Sequence, residues 1–139
     1  MDLRVAFAAV YIVVDLAYVL VSKRAYDRAI GRIGAPAGHK PGIVWAAGGA
    51  YLAMGLAWLF LVAPAADRWA RNTRLSPVAA GAAAGFLWSL ALYGVFNGSL
   101  YAMFRDWKGR IVIRDMAWGL TWGTILTAAY AAAAHRRPS

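Results

Sequence analysis

Hydrophobic and polar positions along this chain sort into blocks the length of whole helices. Four apolar runs, at about 5–21, 43–62, 77–103 and 111–134, are divided by short segments rich in arginine and lysine. At about 1.5 Å of rise per residue, the shortest run makes roughly 25 Å of helix, close to the hydrocarbon thickness of a bilayer. The pattern predicts an all-α, polytopic integral membrane protein, a single domain built as a bundle of four transmembrane helices. The first run reads as a retained helix and not a cleaved leader: it lacks a basic start, Asp15 interrupts it, and no small-x-small site follows.

The connections carry the local punctuation. Ser22–Gly42 holds Lys23, Arg24, Arg28, Arg32 and Lys40 and closes on Pro36 and Pro41. Within it Tyr26, Ala29, Ile30 and Ile33 recur at helical spacing opposite the bases. That spacing predicts a short interfacial helix in the first loop, or an extension of the first helix into the headgroups. Pro41 and Pro64 bound the second run, so Ala63–Ser76 is expected to be a loop. Ser76 and Pro77 form an N-cap and first-turn pair for the third helix.

Inside the runs, polar residues keep to one face. The first helix carries Arg4, Ala8, Tyr11, Asp15, Tyr18 and Ser22, alternating by three and four. The third carries Gly81, Gly85, Ser89, Tyr93, Asn97 and Tyr101 at every fourth position, with Gly81, Gly85 and Ser89 expected to form a close packing seam. A carboxylate facing acyl chains costs several kcal/mol, so Asp15 must point into the bundle or a hydrated cleft. Counted from the loop-side ends of their helices, Asp15, Asn97 and Asp115 fall at similar depth. With Tyr18 and Tyr93 they make up the expected polar intramembrane cluster. Plainer readings stand beside it: Asp115 as an interfacial ion pair with Arg110 or Arg114, and Asp15 as a group that sets helix register. Thr121, Thr124 and Thr127 are expected to bond to carbonyls of their own helix. Trp45, Trp58, Trp107, Trp118, Arg110 and Arg114 read as anchors in the headgroup layer.

Composition agrees. Of 139 residues, 62% are hydrophobic and 15% charged, more apolar than a soluble domain of this size can bury. The net charge of +9 would point to nucleic acid in a soluble protein. Here the bases sit between apolar runs, with no basic helix face, and nucleic-acid binding is not expected. Arg4, Arg68, Arg71, Arg74, Arg136 and Arg137 lie on the side of the termini. Lys23, Arg24, Arg28, Arg32, Lys40, Arg105, Lys108, Arg110 and Arg114 lie on the other, so the positive-inside rule favours both termini on the non-cytoplasmic side. Cysteine is absent, which removes disulfides and thiolate chemistry.

No catalytic template fits. A G-x-S-x-G elbow, a phosphate loop and an H-E-x-x-H pair are all missing, and His39 and His135 lack carboxylates at metal-ligand spacing. Neither a metal nor another cofactor is expected. Asn97-Gly98-Ser99 matches a glycosylation sequon but lies inside a span.

Val14-Asp15-Leu16 with the downstream Tyr26, Tyr93 to Ser99, Trp107 and Asp115-Met116-Ala117-Trp118-Gly119 together resemble the domain of unknown function 2177 family. These are small four-span membrane proteins of bacteria and large DNA viruses. The resemblance implies the same four-span layout with a long first loop over nearly the whole chain, and brings no assigned activity. Where the family's pattern has a Tyr-Asp pair, this chain has Phe96-Asn97, which argues against proton chemistry at that position. The reading favoured from sequence is a non-enzymatic structural or accessory subunit of a larger membrane assembly, a virion membrane included. Its partners would be the bilayer and other membrane subunits or further copies of itself. The alternative is a small proton- or ion-coupled transporter that uses Asp15.

Overall fold

The computed structural model of the protein describes residues 2–30, 42–105 and 107–136. Helices α1 (Leu3–Ile30), α2 (Ile43–Ala57), α3 (Ala63–Asn72), α4 (Pro77–Met103) and α5 (Gly109–Ala134) follow in order, and a wide π-turn at Trp58–Val62 joins α2 to α3. No strand occurs among the described residues.

α1 does not stop at the edge of its apolar run. It continues through Lys23, Arg24 and Arg28 to Ile30. No breaker interrupts this stretch, Ala25 and Ala29 favour helix, and Lys23 pairs with Asp27 one turn on at 2.5 Å. Of the two expectations for the first loop, extension of helix one describes Ser22–Ile30. A separate interfacial helix has no counterpart among the described residues, and Ile33, Pro36 and Lys40 lie outside them.

The loop expected at Ala63–Ser76 is a second departure. Helix runs on through Pro64 to Asn72, leaving only a short turn before Pro77. Proline has no N–H and its ring crowds the carbonyl four residues back, which ends or kinks an ordinary α-helix. Here the preceding turn is already widened, with the N–H of Ala63 reaching back five residues to the carbonyl of Trp58. The π-turn absorbs the misfit that a proline imposes. At the next helix, Ser76 Oγ accepts from the N–H of Ala79 and Pro77 follows, as the sequence predicts.

Among the described residues three helical stretches are long and apolar enough to cross a membrane: Leu3–Ala29, Val44–Asn72 and Pro77–Met103. α5 is as long, but its apolar character is diluted by Thr121, Trp122 and Thr124. It is also the helix most enclosed by its neighbours. α4 and α5 run antiparallel, with Gly81, Gly85, Ser89 and Tyr93 of one set against Ala131, Thr127, Gly123 and Gly119 of the other. A Cβ built on Gly81 would come within 2.7 Å of the Ala131 methyl, and one on Gly123 would overlap Ser89 Oγ. In lipid, close backbone approach of this kind replaces hydrophobicity as the force that holds helices together.

α3 packs on α4 and α5, and α1 on α5 and α2. α2 leans on α1 and barely touches α4, so the α2–α3 rod closes on α4 from the π-turn onward. The main core forms at that closed end from Tyr11, Trp58, Val62, Ala66, Leu126 and Tyr130. Trp58, expected at the headgroups, is fully buried there and donates its indole N–H to Thr127 Oγ1 at 3.1 Å. The Thr127 hydroxyl is thus committed to a neighbouring helix, and that of Thr124 is buried without a partner.

Candidate functional site

Two acids lie inside the bundle at its open end. Asp15 of α1 is 6% exposed and Asp115 of α5 is 2% exposed. Both follow from the face pattern: Asp15 shares a stripe with Tyr11 and Ser22, and Asp115 shares a row with Ile111, Gly119 and Gly123, all buried.

α1 and α5 exchange partners at this point. In each helix an aromatic residue stands three positions after the acid, Tyr18 after Asp15 and Trp118 after Asp115, and reaches the other helix's carboxylate. Trp118 Nε1 donates to Asp15 at 3.2 Å, and the Tyr18 hydroxyl donates to Asp115 at 2.7 Å. The two rings stack between the acids at 4.5 Å and 5°. Each acid has one more direct donor, and the Tyr51 hydroxyl of α2 also faces Asp15. The Tyr93 hydroxyl donates to Asp15, and the Tyr26 hydroxyl to Asp115 at 2.5 Å. All four bonds fall on Oδ1 atoms, which leaves the second oxygen of each carboxylate outside them. Hydrogen bonds from neutral donors are how a buried anion is held without a counter-charge. Among the described residues no base lies within ion-pair distance of Asp115. Arg114, an expected partner, lies instead over the Tyr26 and Tyr18 rings at 5.7 and 6.0 Å.

Because α2 stands off from α4, the acids border a cavity of about 680 Å³. Asp15, Asp115, Tyr18, Tyr26 and Tyr93 form its polar wall. Met54, Tyr51 and Ala50 of α2 and Leu92, Phe96 and Leu100 of α4 line the rest. Lys23 and Asp27 also line it as a pair. Few polar groups converging on an apolar pocket is the usual composition of a small-molecule site.

Of the polar cluster expected from sequence, Asp15, Tyr18, Tyr93 and Asp115 come together. Asn97 stays apart. Its amide donates to the Tyr93 carbonyl one turn back at 3.2 Å and its oxygen accepts from Trp107 Nε1 at 3.4 Å. Trp107 is buried beside Tyr26 and Phe96, and Trp118 is half-buried in the site, so neither is spent on the headgroup layer. Trp45 is exposed, as are Arg110 and Arg114. The sequence reading missed Tyr26 and Trp118 as site residues. The signal was present: Tyr26 continues the α1 stripe at Asp15, Tyr18 and Ser22, and Asp-Leu-Ala-Tyr and Asp-Met-Ala-Trp repeat one spacing.

A second acid centre closes the opposite end. Asp67 of α3, expected in a loop, is buried. It accepts from Arg4 at 2.8 Å and from the Tyr130 hydroxyl at 2.8 Å, with His135 Nε2 at 3.3 Å. The start of α1 and the end of α5 are thereby tied to α3. No cluster of metal-ligating residues occurs among the described residues.

An apolar helical chain whose acids are turned inward and met by phenols and indoles is, as a class, an integral membrane protein. This one belongs to the family described as Predicted membrane protein (DUF2177), whose model matches residues 3–135, nearly the whole chain. No curated protein matches the chain, and no solved structure does.

Proposed function

We propose that the protein is a four-span membrane carrier for an amphipathic organic cation, held in the cavity between α1, α2 and α4. The fourth span is α5, whose length matches the others and whose threonines, tryptophans and glycines are tolerated because it runs along α4. One observation carries the reading: a largely apolar cavity has the buried carboxylates of Asp15 and Asp115 in its wall, each with an oxygen outside the four tyrosine and tryptophan bonds. Lys23 and Asp27 offset each other, so the net charge of the lining is that of the two acids. An apolar cation would satisfy both features. The stand-off of α2 supplies a lateral entrance from the lipid.

Coupling of cation binding to an ion gradient would make this the small ion-coupled transporter that the sequence admits. The activity is non-enzymatic in this reading. The excess of bases around the cavity end supports a cytoplasmic location for that end, with the termini outside.

The test is binding of tetraphenylphosphonium by the purified protein in phosphatidylcholine nanodiscs, with a neutral tetraphenyl analogue as control. Asp15→Asn is expected to weaken cation binding about tenfold or more, the equivalent of one close charge contact. Binding of the neutral analogue should not change. Equal cation affinity in the native protein and Asp15→Asn would sink the proposal.

A second reading, an accessory membrane subunit, draws on the exposed apolar faces at Trp45, Phe60 and Leu61, which another helix could cover as well as lipid. Recovery from its native membrane as a stable complex of defined stoichiometry would favour it.

A further inference from the structure

At the same end of the bundle, α1 and α5 enclose a second cleft of about 550 Å³ whose character is the reverse of the acidic cavity. Arg28 of α1 and Arg110 and Arg114 of α5 line it, together with Lys108, over a floor of Ala25, Ala29 and Ile111. No acid lines it. Arg28 and Arg110 have no carboxylate within ion-pair distance among the described residues, and Arg114 lies over the Tyr26 and Tyr18 rings, near enough to the Asp115 carboxylate to be attracted by it. α5 also begins here. Lys108 is its N-cap, and a lysine side chain has no acceptor for the first-turn N–H groups, so the positive end of a 26-residue helix faces the same region.

Three guanidiniums and a helix N-terminus gathered around one cleft make a positive field that favours an anion among them. Arginine's planar fork suits the paired oxygens of a phosphate. The apolar floor narrows the choice. A free phosphate gains nothing from Ala25, Ala29 and Ile111, whereas a phospholipid brings glycerol and acyl carbons directly below its phosphate. The cleft lies at a helix end, two residues beyond Trp107 and two turns or less from the buried Asp115, which is headgroup depth for a spanning helix.

We infer that the cleft between the end of α1 and the start of α5 is a binding site for the phosphodiester headgroup of an anionic membrane lipid. Arg28 and Arg110 grip the phosphate from opposite helices, and Arg114 links the site to the Tyr26 and Tyr18 rings behind it. Lipid binding here does not need the acidic cavity to bind anything.

Native mass spectrometry of the protein released from mixed phosphatidylglycerol–phosphatidylcholine nanodiscs tests it. Phosphatidylglycerol is expected to be retained in preference to phosphatidylcholine. Arg28→Gln or Arg110→Gln should cut that retention roughly fivefold each, and the pair about twenty-five-fold. Arg74→Gln, at the other end of the bundle, should leave it unchanged. Arg28→Lys with Arg110→Lys keeps the charges without the forks and should hold an intermediate amount, which separates headgroup recognition from a folding defect. Equal retention of the two lipids, or undiminished phosphatidylglycerol on the Gln pair, would overturn the proposal. So would complete displacement of the lipid by inorganic phosphate, which would make the site one for a free anion.

Discussion

Asp115 sits in the bundle with no base at ion-pair distance among the described residues, and Tyr18 and Tyr26 make its hydrogen bonds. Tyr26→Phe removes one of these two donors while keeping the ring against Trp107. Hydrogen bonds to charged groups contribute about 1.5–3 kcal/mol, so the substitution should lower thermal stability by about that much in detergent. Tyr101→Phe, on an exposed ring, should change it little. A Tyr26→Phe protein as stable as the native one would mean that Asp115 is satisfied some other way. At this scale the sequence marked the acids well, because an ionisable group inside an apolar run has few places to go. It marked their partners poorly. A tryptophan near the end of an apolar run looks the same whether it faces away from the bundle, as Trp45 does, or into its centre, as Trp58 does. Helix rotation decides, and rotation is a property of packing.

Among the elements, the α4–α5 seam and the π-turn illustrate opposite cases. The small residues of α4 at every fourth position announced a seam, and α5 answers with Gly119, Gly123, Thr127 and Ala131. A side chain at Gly123 has nowhere to go, since even a Cβ meets Ser89 and the Gly85 carbonyl. Gly123→Val is expected to destabilise the protein by about 1–3 kcal/mol, the usual cost of overpacking, or to prevent folding. Gly98→Ala, with open space around it, is the matched control and should behave as native. Loss of helicity on heating, followed by circular dichroism, reads both. The π-turn was not announced. Pro64 argued for a helix end, and local rules supply no way to see that a widened turn before it would carry the helix on to Asn72. That continuation is what delivers Asp67 to Arg4, Tyr130 and His135.

For the molecule as a whole, the two ends differ in what holds them. The end bearing the termini is closed by the Trp58 and Tyr130 core and by the Asp67 centre. The opposite end is open along α2, where the acidic cavity lies. Asp67→Asn should therefore loosen the closed end and leave the cavity intact. The expected cost is about 1–2 kcal/mol, less than for a fully buried pair because the Arg4 side chain is 42% exposed. Hydrogen exchange should rise in the first turn of α1 and the last of α5, with cation binding retained. Exchange that rises equally along α2 would show that the two ends are not independent.

The amino-acid pattern was enough to establish long helices and a membrane setting, and to turn Asp15 and Asp115 away from lipid. Each of these follows from solvation alone: an apolar run needs hydrocarbon, and a carboxylate cannot be left in it. The pairing of helices, the crossed contacts between α1 and α5, and the gap along α2 had to wait for the folded chain. In a bilayer every apolar face is equally well solvated, so hydrophobic periodicity has no power to choose neighbours. That choice falls to small-residue contacts and single hydrogen bonds, which exist only once residues far apart in sequence have met.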